Sequence, residues 1–186
     1  IVNFATLRNL EQIRNDVVYQ GLAVTIIGVG GGFTYGSQGY THHGLEDLAV
    51  MRSLGTIDVA SPADAAETRM VMRAALSSPG PTYVRLGKSG EPAVHESVPE
   101  SGRGELCALR QGDAALIVAT GGLVVQALAA ADLLAWEGIA VAVWSAPWLN
   151  PFDAQTTAAA AQEYGLILSA EEGVTSGGLG AAVATA

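Results

Sequence analysis

The stretch LAVTIIGVGGGFTYGSQGYTHHGLEDLAV, residues 22–50, decides the fold of this chain. It begins as a short β-branched apolar run over residues 22–29, which is typical of a strand covered on both faces. Seven glycines then fall within the 17 residues from 28 to 44, and a helix is predicted from about residue 45. A strand followed by a long glycine-rich loop and a helix is typical of the carboxyl edge of an α/β sheet, where ligands bind.

Strand and helix patterns alternate on both sides of this stretch. Helices are predicted over residues 7–18, 45–53, 61–76, 123–136 and 153–164, and strands over residues 22–29, 56–60, 82–86, 105–110, 114–119, 139–144 and 166–170. Ser61 is expected to cap the third helix, and residues 111–113 are expected to turn a hairpin between two strands. The alternation predicts an α/β fold with two three-layer α/β/α domains and mostly parallel sheets.

The domain boundary is predicted from a polar stretch rich in Gly and Pro that carries no apolar period. Residues 1–88 form the first predicted domain, residues 89–104 the linker, and residues 105–186 the second domain. The same stretch is also compatible with a long ordered crossover. The chain is expected to be cut short at both ends, since residue 1 falls near a strand-to-helix junction and the last helix is brief.

Composition excludes several classes of function. The 186 residues carry 9 Lys and Arg against 18 Asp and Glu, a net charge of −9 that disfavours nucleic acid and anionic membrane surfaces as partners. One cysteine, Cys107, excludes a disulfide framework and favours a reducing, cytoplasmic setting. No apolar run is long enough to span a membrane.

The glycine-rich loop does not match the common phosphate-binding motifs. Phe33 stands where a dinucleotide fingerprint needs its third glycine, and no helix is predicted to start there. The loop is either a plain surface connection or a binding element. Its length favours the second interpretation.

His42 and His43 lie in this loop, at the carboxyl side of the predicted strand. Adjacent histidines seldom share a metal ion, and no ligand four residues away completes a zinc pattern, so no metal site is predicted. His42 could donate a hydrogen bond to a substrate hydroxyl or phosphate, or could cap the following helix.

Arg85 ends another predicted strand, where a planar guanidinium could bind an anion such as a phosphate. An interface salt bridge is the alternative role. Cys107 is predicted to be buried packing rather than a nucleophile, and His95 in the linker carries no functional signal. Trp136, Trp144 and Trp148 are expected in the core or at interfaces.

Taken together, these motifs resemble the transketolase family of thiamine-diphosphate enzymes. The most specific stretch runs from Gly28 to Glu67, and TYVRLGKSGEP, GDAALIVATG and EEGVTSGGLG follow in order. The resemblance covers nearly the whole chain. It implies a pyrimidine-binding domain followed by the family's C-terminal domain.

The resemblance also implies functions for individual residues. Phe4, Leu7 and Leu10 would pack against the pyrimidine ring of thiamine diphosphate, although Leu7 and Leu10 stand where aromatic residues are common. His42 would be catalytic and would contact substrate together with Gln38, which replaces a frequent aspartate. Arg85 would bind the substrate phosphate.

The implied activity is transfer of a two-carbon ketol unit from a ketose phosphate to an aldehyde. The diphosphate and Mg²⁺ ligands, and the glutamate that protonates the pyrimidine, would lie on another domain or subunit or before Ile1. A homodimer or heterotetramer is expected. The alternatives are a β-type subunit of a 2-oxo acid dehydrogenase, a non-catalytic assembly or regulatory subunit with this fold, and a nucleotide-binding module.

Overall fold

The structure, a computed structural model, describes residues 1–186 and contains seven α-helices and eight strands. The helices are α1 (Val2–Ala5), α2 (Leu10–Gln12), α3 (Asp47–Ser53), α4 (Ala65–Ser77), α5 (Leu123–Trp136), α6 (Ala154–Glu163) and α7 (Leu179–Thr185). The strands are β1 (Thr25–Val29), β2 (Asp58–Ala60), β3 (Thr82–Leu86), β4 (Cys107–Arg110), β5 (Ala115–Ala119), β6 (Val141–Ser145), β7 (Trp148–Asn150) and β8 (Ile167–Ala170). None of the helices is long and apolar enough to cross a membrane.

The strands form two four-stranded sheets with the same plan. The first has the order β1-β3-β2-β7 and the second β4-β6-β5-β8. In each sheet three strands run parallel and one edge strand, β7 or β4, runs antiparallel. The predicted α/β fold with mostly parallel sheets is confirmed.

Several local predictions were wrong. The strands at residues 105–110 and 114–119 do not form a hairpin, because β6 lies between β4 and β5. Gly112 passes close to the β6 backbone, where a Cβ would lie 2.4 Å from the nitrogen of Ala142, so the connection crosses β6 rather than folding back. Asp64, not Ser61, caps α4, and its carboxylate accepts from the backbone N–H groups of Ala66 and Glu67.

Another error concerns the predicted helix at residues 7–18, which is broken into short pieces. A 3₁₀ turn over Leu7–Asn9 and a π-helical segment over Ile13–Val18 flank α2. Ile13 and Val18 are buried on one face, so the apolar periodicity was a correct guide to burial but not to helix type. Trp136 is 90% exposed, which leaves an interface as its predicted position, whereas Trp148 is fully buried.

The two sheets are joined by shared core and by one strand. The largest apolar core cluster includes Val59 and Tyr83 of the first sheet together with Leu116 and Val118 of the second. Strand β7 comes from the second half of the sequence but pairs with β2 in the first sheet. Residues 87–106, named the strap below, contain no helix or strand and connect β3 to β4.

Candidate active site at the carboxyl edge of the first sheet

The glycine-rich loop leaves the carboxyl end of β1 and returns to α3 in a fixed shape. Gly32 and Gly44 form a two-way backbone bridge, with N···O distances of 2.7 and 2.9 Å, which closes the loop at its base. Gly32 has φ +61°, and a side chain there would also collide with the Glu172 carboxylate. The bridge fixes the two ends of the segment that carries His42 and His43.

His42 lies at the end of this loop against Phe4. The two ring centroids are 5.4 Å apart in an edge-on arrangement, and the Arg8 guanidinium carbon lies 4.4 Å from the centroid of the Phe4 ring. His42 Nδ1 is 2.9 Å from the Thr41 hydroxyl, whereas Nε2 makes no hydrogen bond within the chain. The free Nε2 is therefore available to a bound molecule.

The other predicted contact residues lie in different surroundings. Leu7 is 40% exposed, while Leu10 is half-buried and packs against the largest core cluster. Gln38 is exposed, at the end of a 3₁₀ turn in the loop. The structure thus brings Phe4 and His42 together, and it gives Leu10 a contact with the core.

Arg85, at the carboxyl end of β3, is buried and already has partners. Its Nη1 lies 3.4 Å from Asp47 Oδ1, and its Nη2 donates to the carbonyl of Glu172 at 2.8 Å. Gly31 is required beside it, because a Cβ there would lie 1.8 Å from Arg85 Nε. The guanidinium therefore links the first sheet to the segment that follows β8.

A small polar cleft opens beside Arg85 between the two halves of the chain. Apart from Pro62, it is lined by glycines and by polar or charged side chains from both halves of the chain: Gly31, Thr34, Ser61, Arg85, Gly87, Glu91, Thr120, Gly121, Gly122 and Glu172. Gly121 and Gly122 precede α5, so the positive end of that helix faces the cleft. Burial raises the pKa of Glu91, with the neighbouring Glu172 acting in the same direction.

Asp47 and Tyr83 are a buried pair that the sequence did not indicate. The Tyr83 hydroxyl donates to Asp47 Oδ2 at 2.6 Å. Burial raises the pKa of Asp47, while the Arg85 guanidinium lowers it in part, and burial raises the pKa of Tyr83 well above its ordinary value. The buried Tyr at an alternate position of an apolar strand was the one available signal.

His95 is not the featureless linker residue that the sequence suggested. It is largely buried, with Nδ1 3.4 Å from Asp64 Oδ2 and Nε2 3.6 Å from Glu67 Oε1. Cys107 is buried on β4 as predicted, and burial raises the pKa of its thiol to about 11. These residues lie apart from His42, at the N-terminal end of α4.

Comparison with known protein families gives two adjoining matches. Residues 1–92 match the transketolase pyrimidine-binding domain, and residues 104–186 match the transketolase C-terminal domain. The chain belongs to the transketolase family. The family depends on thiamine diphosphate. Phe4 and His42 both lie in the part of the chain that matches the pyrimidine-binding domain.

Several relatives of this transketolase-family chain are subunits rather than whole enzymes. It is 37% identical over 181 residues to an apulose-4-phosphate transketolase subunit of Phocaeicola vulgatus, covering 97% of this chain and 58% of the relative. It is 34% identical to a 6-deoxy-6-sulfo-D-fructose transketolase subunit of Clostridium sp., covering 97% and 56% respectively. The chain thus spans rather more than half the length of these two subunits.

A solved structure shows the same relationship. A split-gene transketolase, described as an inactive β4 tetramer, superposes with a TM-score of 0.90 at 38% identity and covers 100% of this chain and 60% of that one. Thus this transketolase-family chain has the fold of a split-enzyme subunit.

The residues present fit the apolar side of an aminopyrimidine ring. Phe4 offers an aromatic ring and Leu7 an exposed aliphatic side chain, while His42 Nε2 lies free nearby. A planar heteroaromatic ring packs well on such a surface. Phe4 and His42 therefore form a surface that fits such a ring.

Proposed function

We propose that this chain is the pyrimidine-binding subunit, or part of it, of a transketolase that transfers a two-carbon ketol unit from an anionic ketose to an aldehyde. The carrying observation is the pairing of Phe4 with His42 on the closed glycine-rich loop. Two relatives act, by their names, on ketoses that bear a phosphate or a sulfonate. Those names favour ketol transfer over the 2-oxo acid dehydrogenase alternative.

The chain's own residues are proposed to hold and orient the reactants. Thiamine diphosphate, when bound, supplies the carbon centre that carries the two-carbon unit. Phe4 and Leu7 bind the pyrimidine ring and exclude water from one side of it, with Leu10 supporting them from the core. His42 Nε2 donates to a substrate hydroxyl, because the Thr41 hydroxyl holds Nδ1 and so fixes the ring.

Gln38 is proposed to hydrogen-bond a more distant substrate hydroxyl. It is exposed on the same loop as His42, and its amide both donates and accepts without a charge. An amide in place of a carboxylate there would change which acceptor aldehydes bind well.

Arg85 is proposed to attract the anionic end of the ketose to the polar cleft. The N-terminal end of α5 faces the same cleft and offers backbone N–H groups to an anion, whereas the Glu91 and Glu172 carboxylates oppose one. The salt bridge to Asp47 supports the alternative, purely structural role. Kinetics with charged and uncharged donors separates the two roles.

The Mg²⁺ ion and the diphosphate are proposed to bind to a second subunit or domain. A heterotetramer of two such pairs, or a homodimer of a longer chain, would complete the site. A subunit that needs its partner is consistent with a split-gene relative that is inactive as a β4 tetramer. The single free Cys107 suits a reducing, cytoplasmic setting.

The test is turnover by the complete protein. The full-length protein and its diphosphate-binding partner are mixed with thiamine diphosphate, Mg²⁺ and a ketose phosphate, and release of the shortened aldose is measured. We expect turnover that requires both proteins. His42→Ala should lower kcat/KM by about 100-fold, since positioned hydrogen-bond donors contribute on this scale. His43→Ala is the matched control and should lower kcat/KM much less.

Two outcomes would overturn the proposal. One is stable association with the partner but no turnover of any ketose phosphate or sulfonate, which would favour an assembly subunit. The other is decarboxylation of a 2-oxo acid as the main reaction. Arg85→Lys should raise KM for phosphorylated donors more than for unphosphorylated ones. An equal change in KM for both would show that Arg85 has only the structural role of its salt bridge to Asp47.

A further inference from the structure

Three side chains with metal-binding atoms converge away from the proposed active site. Glu67 comes from α4, His95 from the strap and Cys107 from β4, and one ligand atom of each lies within 4.8 Å of the others. The three residues are far apart in sequence, and they join the first half of the chain, the strap and the second half. The sequence showed no metal-binding pattern, because no two of these residues are closely spaced.

Glu67 points an unpartnered oxygen into this cluster. Its side chain is fully buried, and Oε2 accepts from the Ala63 backbone N–H at 2.7 Å, whereas Oε1 has no hydrogen-bond partner. The Ser145 hydroxyl lies beside the Glu67 carboxylate and lowers the carboxylate's pKa in part, although no full hydrogen bond joins the two groups. Buried polar atoms are nearly always paired, so an unpaired carboxylate oxygen here indicates a missing ligand.

Asp64 holds the backbone of the strap at Val94 and His95 and places its carboxylate beside the His95 ring. The two oxygens of Asp64 accept from the backbone N–H groups of Ala66, Glu67, Val94 and His95. Asp64 is therefore not counted as a metal ligand. His95 Nδ1 lies 3.4 Å from Asp64 Oδ2, while Nε2 lies on the Glu67 side. His95 Nδ1 makes no hydrogen bond in this arrangement. A small rotation of the ring would direct an Nδ1 proton to Asp64 and leave the Nε2 lone pair for a metal ion.

The charge balance also indicates a cation. The buried carboxylates of Asp47 and Asp58 are paired with Arg85 and Arg103, at 3.4 and 2.6 Å. Asp64 and Glu67 have no Lys or Arg in contact, and only His95 approaches them. A divalent ion would balance the Glu67 carboxylate and a Cys107 thiolate together.

We propose that Glu67, His95 and Cys107 bind one Zn²⁺ ion that fastens the strap and β4 to the N-terminal end of α4. Carboxylate, imidazole and thiolate are all zinc ligands, and the mixed set favours zinc over Mg²⁺ or Ca²⁺. Zinc bonds of about 2.0–2.3 Å require the ligand atoms to close by roughly an ångström. The fourth position falls to water or to the Ser145 hydroxyl. Binding displaces the thiol proton of Cys107 to solvent.

The test is metal binding, which does not depend on the proposed transferase activity. The full-length protein is stripped with a chelator and titrated with ZnCl₂ against a chromophoric competitor. We expect one Zn²⁺ per chain with a Kd below about 1 μM. With CoCl₂ we expect the strong visible absorption of tetrahedral cobalt and a thiolate-to-cobalt band. Loss of that band in a Cys107→Ser variant would assign it to Cys107, the one cysteine among residues 1–186.

Variants separate this site from adventitious binding. Cys107→Ser should abolish the thiolate band and weaken zinc at least about 10-fold, and His95→Gln should act similarly. His43→Gln is the matched control and should change neither. If a variant does not fold, the unmodified protein still decides: zinc should slow the reaction of Cys107 with a thiol reagent at least about 10-fold. Sub-stoichiometric zinc, octahedral cobalt without the thiolate band, or no protection of the thiol would overturn the proposal.

Discussion

The two halves of the molecule share a sheet plan but differ in what they bury. All five buried charged side chains lie in the first 88 residues, namely Asp47, Asp58, Asp64, Glu67 and Arg85. From residue 105 onward the buried polar side chains are Thr120, Ser145 and Thr157, none of them charged. The second sheet is packed mainly with Ala and Val.

This difference indicates a division of labour. A buried charge is unfavourable unless it is paired, so it persists where it positions another group. In the first half Asp47 holds Arg85 at the cleft, and Asp64 holds His95. The second half contributes a core of uncharged, mainly apolar side chains and positions no buried charge.

The largest expected effect comes from removing the cation of the buried pair. Arg85→Met leaves Asp47 buried without a counter-ion and should lower the free energy of unfolding by about 4 kcal/mol near neutral pH. The variant's folded-state pKa of Asp47 lies above its unfolded value, since burial already raises it and the lowering by Arg85 is gone. The protonated form therefore stabilises the folded chain at low pH, and that contribution is lost as the pH rises through the folded pKa.

Urea unfolding at about pH 5 and about pH 7 measures this dependence. The deficit relative to the unmodified protein should shrink at the lower pH. The control in the second half is Leu116→Ala, a cavity in a fully buried neutral position, which should lower stability by about 3 kcal/mol equally at both pH values. A pH-independent deficit for Arg85→Met would contradict the contrast between the halves.

The second effect compares two aspartates with the same role in different halves. Asp64 caps α4 and accepts from four backbone N–H groups, whereas Asp153 caps α6 and accepts only from Thr156. Asp64→Ala should lower the free energy of unfolding by about 3 kcal/mol, and Asp153→Ala by about 1 kcal/mol or less. Thermal unfolding of both variants checks the difference. Equal losses would show that the buried position adds nothing to the cap.

The smallest effect tests the joint between the halves. Arg52 of α3 donates to the carbonyls of Leu149, Gly177 and Gly178, all in the second half. Burial lowers the pKa of this guanidinium, yet it stays charged. Arg52→Gln should lower stability by about 2 kcal/mol and increase hydrogen exchange selectively around residues 177–185. Uniform exchange along the chain would indicate that Arg52 does not join the halves.

Much of the fold could be predicted from the sequence where one local signal was strong. The predicted strand at residues 82–86 and the predicted helix at residues 123–136 coincide with β3 and α5. Each is a continuous apolar or helix-favouring run with clear ends. The Asp153 cap and the positive φ of Gly138 after α5 also follow from local chemistry.

The errors share a long-range cause. The choice of β6 as the partner of β4 depends on how the sheet is assembled, and a short turn at residues 111–113 could equally have closed a hairpin. The replacement of Ser61 by Asp64 as the helix cap depends on the strap, whose backbone uses the same carboxylate.

In the candidate site, too, local sequence features predicted some residues, whereas long-range contacts could not be predicted. The glycine-rich loop marked the position of His42, and the family resemblance pointed to Phe4. The contacts of Arg85 join residues 38 and 87 positions away, a separation that no local pattern encodes. The role of each site residue in catalysis stays a prediction.

The position of β7 has a consequence for how the chain is made. The first sheet takes its edge strand from residues 148–150, and Asn150 also donates to the carbonyls of Gly55 and Ile57. While the ribosome is still adding the second half, β2 therefore has an unpaired edge, the kind of edge that recruits strands from other molecules. Nearly ninety more residues must be synthesised after β2 before β7 is available to pair with that edge.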